Sequence, residues 1–160
     1  MKTIAEPNVG AYIFNMLVFL DFEASSLGKK SFPVEVAWVF EDGRSRSSLL
    51  RPAPDWTDWS SDAEGIHGLS KSRLDEDGAP IDMIAAEMVE SLDGHDLYAS
   101  APSWDGKWLS VLLRATGFPR HRLRLRKSDD AFTAAARQIL GPSPSDAAIA
   151  ALVSYVIERT

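Results

Sequence analysis

Cysteine is absent from the 160 residues. Disulfides, cysteine-ligated zinc and thiol catalysis are therefore excluded, and a reducing, cytoplasmic setting is expected. Long apolar runs are also missing. Residues 11–20, Ala-Tyr-Ile-Phe-Asn-Met-Leu-Val-Phe-Leu, are apolar but too few to cross a bilayer. They run into Asp21-Phe22-Glu23 instead of the small-residue cleavage site of a secretory signal, so no membrane association is expected. Internal repeats and low-complexity stretches do not occur. With 45% hydrophobic residues the chain can bury a core. Its length suits an N-terminal extension over residues 1–15 and a single domain over residues 16–160, with Met16 as a candidate true start.

The net charge of −6 conceals an asymmetry. Residues 1–105 carry 8 Lys/Arg against 19 Asp/Glu, whereas residues 106–160 carry 9 against 4. An acidic part able to hold a cation, followed by a basic part able to hold phosphate, is compatible with a protein that acts on nucleic acid.

The acidic part contains one patterned site. The apolar run ends on Asp21 and Glu23, one residue apart, and residues i and i+2 of a strand share a face. Both carboxylates then leave the sheet side by side, with Leu20 and Phe22 on the opposite face. Adjacent anions at the end of a buried strand repel one another unless a cation neutralises them, which points to a divalent metal. The same spacing recurs at Asp62-Ala63-Glu64, where Ser61-x-x-Glu64 reads more simply as a helix-capping box.

Taken in order, the chain predicts a strand over roughly residues 13–22 and a turn at Leu27–Lys30. A second strand over residues 32–40 follows, then an Asp42-Gly43 hairpin and a third strand ended by Pro52 and Pro54. The loop carrying Trp56 and Trp59 either stacks on bases or covers a sheet edge. A short helix from Lys71 and an amphipathic helix from Pro80 to Leu92 come next, the latter with Ile81, Ile84, Ala85, Met88 and Leu92 on one stripe. A fourth strand spans residues 95–99. After Pro102, a helix from about Trp104 points Trp108, Leu109, Leu112 and Leu113 inward. Residues 122–126 alternate Arg and Leu as a fifth strand, whose arginines suit either a solvated edge or phosphate contact. Helices from Asp129 and from a capping Asp146 close the chain. The expected fold is α/β: a mixed sheet of three antiparallel strands and two further strands, flanked by helices.

Four segments occur in an order that resembles the DEDD superfamily of 3′–5′ exonucleases, the group of polymerase proofreading subunits, RNase T and oligoribonuclease. They are Asp21-Phe-Glu23-Ala-Ser-Ser-Leu27, Pro33-Val-Glu-Val-Ala37, Ile66-His-Gly-Leu-Ser70 and Leu97-Tyr-Ala-Ser-Ala-Pro-Ser-Trp-Asp105. The resemblance spans residues 16–126 and implies an RNase H-like fold. It implies that Asp21, Glu23 and Asp105 are catalytic and bind two Mg²⁺ or Mn²⁺ ions, for which oxygen-rich sites are suited. It implies that His67, Ser26 and Leu27 contact substrate. The substrates implied are single-stranded DNA or RNA 3′ ends, hydrolysed by a two-metal mechanism. Phosphate contact is expected of Arg122, Arg124 and Arg126, and a homodimer is compatible with the sequence.

Two departures stand out. Pro102-Ser103-Trp104 replaces part of the usual second motif. The third motif, an Asp five residues after His or four after Tyr, is absent from the chain. His67, His95 and His121 are followed at that spacing by Ser72, Ser100 and Arg126, and Tyr12, Tyr98 and Tyr155 by Met16, Pro102 and Arg159. Either the chain is truncated before that motif or it has lost it. Impaired turnover, or a non-catalytic nucleic-acid-binding or interaction module on the same fold, is the alternative expectation.

Overall fold

The computed structural model describes residues 15–140 and 145–157. The expected extension over residues 1–15 lies outside them except for Asn15, whose amide donates to Asp96 (2.7 Å). Six strands form one mixed sheet: β1 (Leu17–Ala24), β2 (Pro33–Phe40), β3 (Ser45–Arg51), β4 (Ala79–Pro80), β5 (Asp96–Ala99) and β6 (Leu125–Lys127). Their spatial order is β4-β3-β2-β1-β5-β6. β1, β2 and β3 pair antiparallel, while β5 runs parallel to β1 and β6 parallel to β5. Among the described residues six helices accompany them: α1 (Ser61–His67), α2 (Lys71–Asp77), α3 (Ile81–Leu92), α4 (Pro102–Ala115), α5 (Ser128–Leu140) and α6 (Asp146–Ile157). The expected α/β mixed sheet flanked by helices is present.

Side-chain alternation decides which face of the sheet is dry. Val18, Leu20, Phe22 and Ala24 of β1, with Val36, Trp38 and Phe40 of β2, point to one side and are buried. Two helices close that side. α3 contributes Ile84, Ala85, Met88 and Leu92, and α4 contributes Trp108, Leu109, Leu112 and Leu113. These are the inward residues expected of both helices. A second cluster of Phe32, Val34, Leu69 and Leu74 lies beside it, with Trp56 and Trp59 packed against it.

Several local expectations are corrected. β1 spans Leu17–Ala24 and continues through the carboxylates; of the expected earlier start, Asn15 and Met16 are not strand and residues 13–14 lie outside the described residues. Ser60, not Ser61, caps α1 by accepting from Ala63 N–H; Glu64 instead accepts the Trp59 indole N–H (2.8 Å). Ser145, not Asp146, caps α6, its hydroxyl accepting from Ala148 N–H (3.2 Å). Pro80 does not start α3 but sits before it, in the two-residue strand paired with Leu50 and Arg51. Gly78 permits that pairing, because a Cβ there would stand 2.6 Å from the Arg51 nitrogen. The Arg-Leu alternation forms strand only over Leu125–Lys127. Leu123 before it is nevertheless buried between exposed arginines, as the period of two requires.

Candidate active site

β1 carries Phe19, Asp21 and Glu23 on the face away from α3 and α4. Phe22 between the two carboxylates is buried in the core. Pairing with β2 slips immediately after Glu23, where Ala24 meets Pro33, so the β1–β2 turn departs from the sheet at the carboxylates. β5 runs parallel to β1, and α4 leaves from its carboxyl end, so the helix starts where Asp21 and Glu23 emerge. Pro102 opens that helix and places Asp105 in its first turn, where the helix dipole favours an anion. The Asp105 side chain is 2% exposed and reaches β1, where Phe22 N–H donates to its Oδ1 (3.1 Å).

The structure thus gathers Asp21, Glu23 and Asp105 at one end of the sheet. Loss of hydration raises the pKa of each above the usual carboxylate range. The charge of Asp21 raises Glu23 and Asp105 further, while the Phe22 N–H opposes the rise at Asp105. A fourth carboxylate joins them. Glu35 lies directly across from Glu23 in the β1–β2 register, receives the Ser47 hydroxyl (3.1 Å), and adds its repulsion to both Asp21 and Glu23. Sequence reasoning quoted Glu35 only within a segment; a lone charge inside Pro-Val-Glu-Val-Ala-Trp-Val-Phe was the available signal.

Among the described residues none of these four carboxylates forms an ion pair. Nor do any three His, Asp or Glu form a ready metal-binding group among them. Chemically the donor set fits Mg²⁺ or Mn²⁺: it offers carboxylate oxygens, and their mutual repulsion is what a divalent cation relieves. Carboxylates arranged this way can neutralise such a cation, and through it a phosphate.

Of the expected substrate contacts, His67 ends α1 and lies near Glu23. Leu69 N–H donates to His67 Nδ1 (3.1 Å), so the neutral ring carries its hydrogen on Nε2. That Nε2 is buried and has no partner among the described residues. Ser26 is buried in the β1–β2 turn, accepts from Gly28 N–H (2.9 Å) and donates to the Asp58 carboxylate, whereas Leu27 beside it is 71% exposed. Trp56 and Trp59 pack on Phe32, the first stacked at 5.2 Å, and so join the small cluster at the start of β2, an interior strand, instead of covering a sheet edge. Trp104 is 39% exposed and stacks on the buried Trp108.

The basic segment is not brought to the carboxylates. Arg122 pairs with Asp93 (2.6 Å) and Arg126 with Asp96 (3.0 Å). Leu125 aligns with Leu97, and Asp96 with Leu17, so Arg122 and Arg124 lie near the start of β1 and the carboxylates near its end. Asp129 takes Lys127 as its partner (2.7 Å) at the start of α5. On the carboxylate face a cleft of about 750 Å³ opens, lined by Phe19, Asp21, Ala37, Ser47, Tyr98 and Phe132. Phe19 is sandwiched between Tyr98 (5.8 Å) and Phe132 of α5 (6.0 Å).

Comparison with solved structures places this architecture. The fold is the RNase H-like fold of exonuclease I. Exonuclease I from Methylocaldum szegediense superposes with a TM-score of 0.64 at 18% identity, over 82% of this chain and 32% of that one. E. coli exonuclease I in complex with a dT13 oligonucleotide gives 0.62 at 15% identity, again over 82% of this chain and 32% of that one. A metal-free form of the E. coli exonuclease I–single-stranded DNA complex gives 0.62 at 15% identity, over 82% and 32%. The chain therefore spans about a third of the length of the exonuclease I chains it matches. No family model matches the sequence, and no curated protein does. No helix among the described residues is long and apolar enough to cross a membrane.

Proposed function

We propose that the domain is a DEDD-type, metal-dependent 3′–5′ exonuclease of the cytoplasm, acting on single-stranded nucleic-acid ends. The observation that carries the reading is the convergence of Asp105, from the first turn of α4, on the backbone between Asp21 and Glu23. Asp21, Glu23 and Asp105 would hold Mg²⁺ or Mn²⁺ ions, which when bound supply an activated water and neutralise the leaving oxygen. The chain's own residues position the end to be cut. His67 offers its unpartnered Nε2–H to an oxygen of the terminal nucleotide. Leu27 offers apolar surface to its base. All of these groups come from one chain, so the site calls on no second copy. The oligonucleotide in the exonuclease I complex makes single-stranded DNA the first substrate to test.

The test is digestion of 3′-labelled and 5′-labelled single strands with Mg²⁺ or Mn²⁺ and with EDTA, wild type against Asp21→Asn. Metal-dependent shortening from the 3′ end by the wild type alone is expected. Equal shortening by both proteins, or none by the wild type, overturns the reading.

A second reading rests on the missing third motif. Asp21, Glu23 and Asp105 supply three of the four carboxylates the resemblance requires, and no His or Tyr stands at the spacing of its base. A domain that lacks such a base turns over roughly 10²–10⁴-fold more slowly and, at the extreme, binds ends without cutting them. Oligonucleotide binding without shortening distinguishes this reading from the first.

A further inference from the structure

The turn between β1 and β2 is tied down along its whole length. At its base Ser25 N–H donates to Phe32 O (2.9 Å) and Phe32 N–H donates to the Ser25 hydroxyl (3.0 Å). Ser60 N–H donates to Ser25 O (2.9 Å), attaching the turn to the α1 cap. In its middle the Ser26 hydroxyl links Gly28 N–H to Asp58. A side chain at Gly28 would crowd this link, since a Cβ would stand 3.1 Å from Ser26 Oγ and 3.3 Å from Asp58. A turn fixed in this way nonetheless presents Leu27 to solvent, 71% exposed. Leu27 adds nothing to the core, and the exonuclease reading gives it a contact with the terminal base.

The far side of the turn is held by α4. Ser31 is 1% exposed and its hydroxyl is fully used: it donates to Gly28 O (2.9 Å) and accepts from Lys107 Nζ (2.8 Å) and Trp108 Nε1 (3.0 Å). Lys107 Nζ also donates to Gly28 O. Its cation lies over the Trp104 ring at 5.3 Å, and among the described residues it forms no ion pair with a carboxylate. A lysine held this way gives up rotamer freedom and gains no salt bridge. It stands two residues after Asp105 on the same helix. One turn of α4 therefore fixes both the buried carboxylate and the loop that carries Leu27.

We propose that Lys107 is a positioning residue: through Gly28 and Ser31 it sets the distance of Leu27 from Asp105, and so seats the terminal nucleotide against the carboxylates. The inference rests on the exonuclease reading above. It predicts that loosening the turn weakens the hold on substrate and leaves the carboxylates' hold on metal intact.

The experiment compares wild type, Lys107→Met, Lys107→Arg and the exposed-turn control Lys29→Met. Each is measured for hydrogen exchange of residues 26–31, for KM and kcat on a 3′-labelled single-stranded oligonucleotide, and for Mn²⁺ affinity by calorimetry. Loss of charged hydrogen bonds in Lys107→Met is expected to speed exchange in the turn and raise KM about tenfold, with kcat and Mn²⁺ affinity within about threefold of wild type. Lys107→Arg restores the donors and is expected to recover most of the KM; Lys29→Met is expected to match wild type. Unchanged exchange and KM in Lys107→Met overturn the proposal, as does a fall in Mn²⁺ affinity parallel to the rise in KM. If the wild type hydrolyses nothing, the exonuclease reading fails. KM is then replaced by the oligonucleotide dissociation constant, and the proposal stands or falls on that constant, the exchange and the Mn²⁺ affinity.

Discussion

On β1 the inward and outward side chains answer to opposite demands. Val18, Leu20 and Phe22 are 0%, 3% and 4% exposed under α3 and α4, and each gains from leaving water. Asp21 and Glu23, interleaved with them, face a third carboxylate, Glu35, on β2 and a fourth, Asp105, on α4. The fold opposes the ionisation of these groups. A strand with period two allows this division, since neighbouring residues a few ångströms apart in sequence sit in unlike media. Stability and chemistry are therefore assigned to different faces of one strand, and each can be perturbed without the other.

The largest expected effect comes from the inward face. Phe22→Ala should cost about 3–5 kcal/mol, and at about 2–4 °C per kcal/mol for a domain of this size the melting temperature should fall by about 6–20 °C. Asp21→Asn, one residue away, should leave the metal-free melting temperature unchanged or higher, because it removes a charge that burial and Glu35 oppose. Thermal melts of both variants in EDTA make the comparison. Comparable losses in the two would show that the faces are not separable.

Those two faces were legible in the sequence because alternation is local. Asp21 and Glu23 stood out by their spacing alone, whereas Asp105 was reached only through the resemblance, since nothing local marks an aspartate in a helix as facing a strand 83 residues away. Glu35 became visible only with the register that sets it across from Glu23. Lys107 is joined to its partners across 76 and 79 residues, which no periodicity reveals. The misplaced caps have a different cause. Only Ser61 has a glutamate three residues on, so the capping-box pattern singled it out, yet Glu64 is engaged by the Trp59 indole and the serine before it is the cap. β4 was missed because two residues carry no period, and its pairing depends on a glycine that lets Arg51 approach.

A smaller effect sharpens the electrostatic half of the comparison. Asp21, Glu23 and Asp105 have folded-state pKa values raised from the ordinary 3.8 and 4.5, in each case first by burial. Between the ordinary and the raised values the native state binds more protons than the unfolded state, so these groups make stability fall as pH rises through that interval. Their cost is absent below the ordinary values and complete above the raised ones. In EDTA, Asp21→Asn should therefore gain stability over wild type at about pH 7 and lose that advantage toward about pH 4. The expected gain is small, under about 2 °C in melting temperature, because Asp21 is exposed and water screens its charge. Saturating Mn²⁺ should reverse the ranking at neutral pH, because the metal stabilises the protein that binds it. A wild type that melts higher than Asp21→Asn at neutral pH in EDTA would mean that the carboxylates are already compensated.

The smallest effect is expected at the opposite end of the sheet, in Arg122 and Arg124. Arg122 is engaged with Asp93 on the surface, where such a pair contributes about 0–1 kcal/mol. The register sets the segment before Leu125 level with Leu17, four residues short of Asp21, or about 13 Å along the strand at about 3.3 Å per residue. A terminal nucleotide at the carboxylates does not reach that far, so Arg122→Gln and Arg124→Gln should each change the cleavage of a trinucleotide by less than about twofold. A longer strand has the means to reach them, and there the two outcomes separate. Each phosphate contact contributes about −0.7 to the slope of log K against log salt for a single strand. If the bound strand runs along the cleft and over β6, the slope measured with a long oligonucleotide becomes shallower by about that amount in either variant. If the arginines serve only as a solvated border to the edge strand, the slope stays at the wild-type value and only stability moves, by a few tenths of a kcal/mol. The ion pairs already made by Arg122 and Arg126 favour the second outcome for those two, and leave Arg124 as the position where a phosphate contact would first be detected.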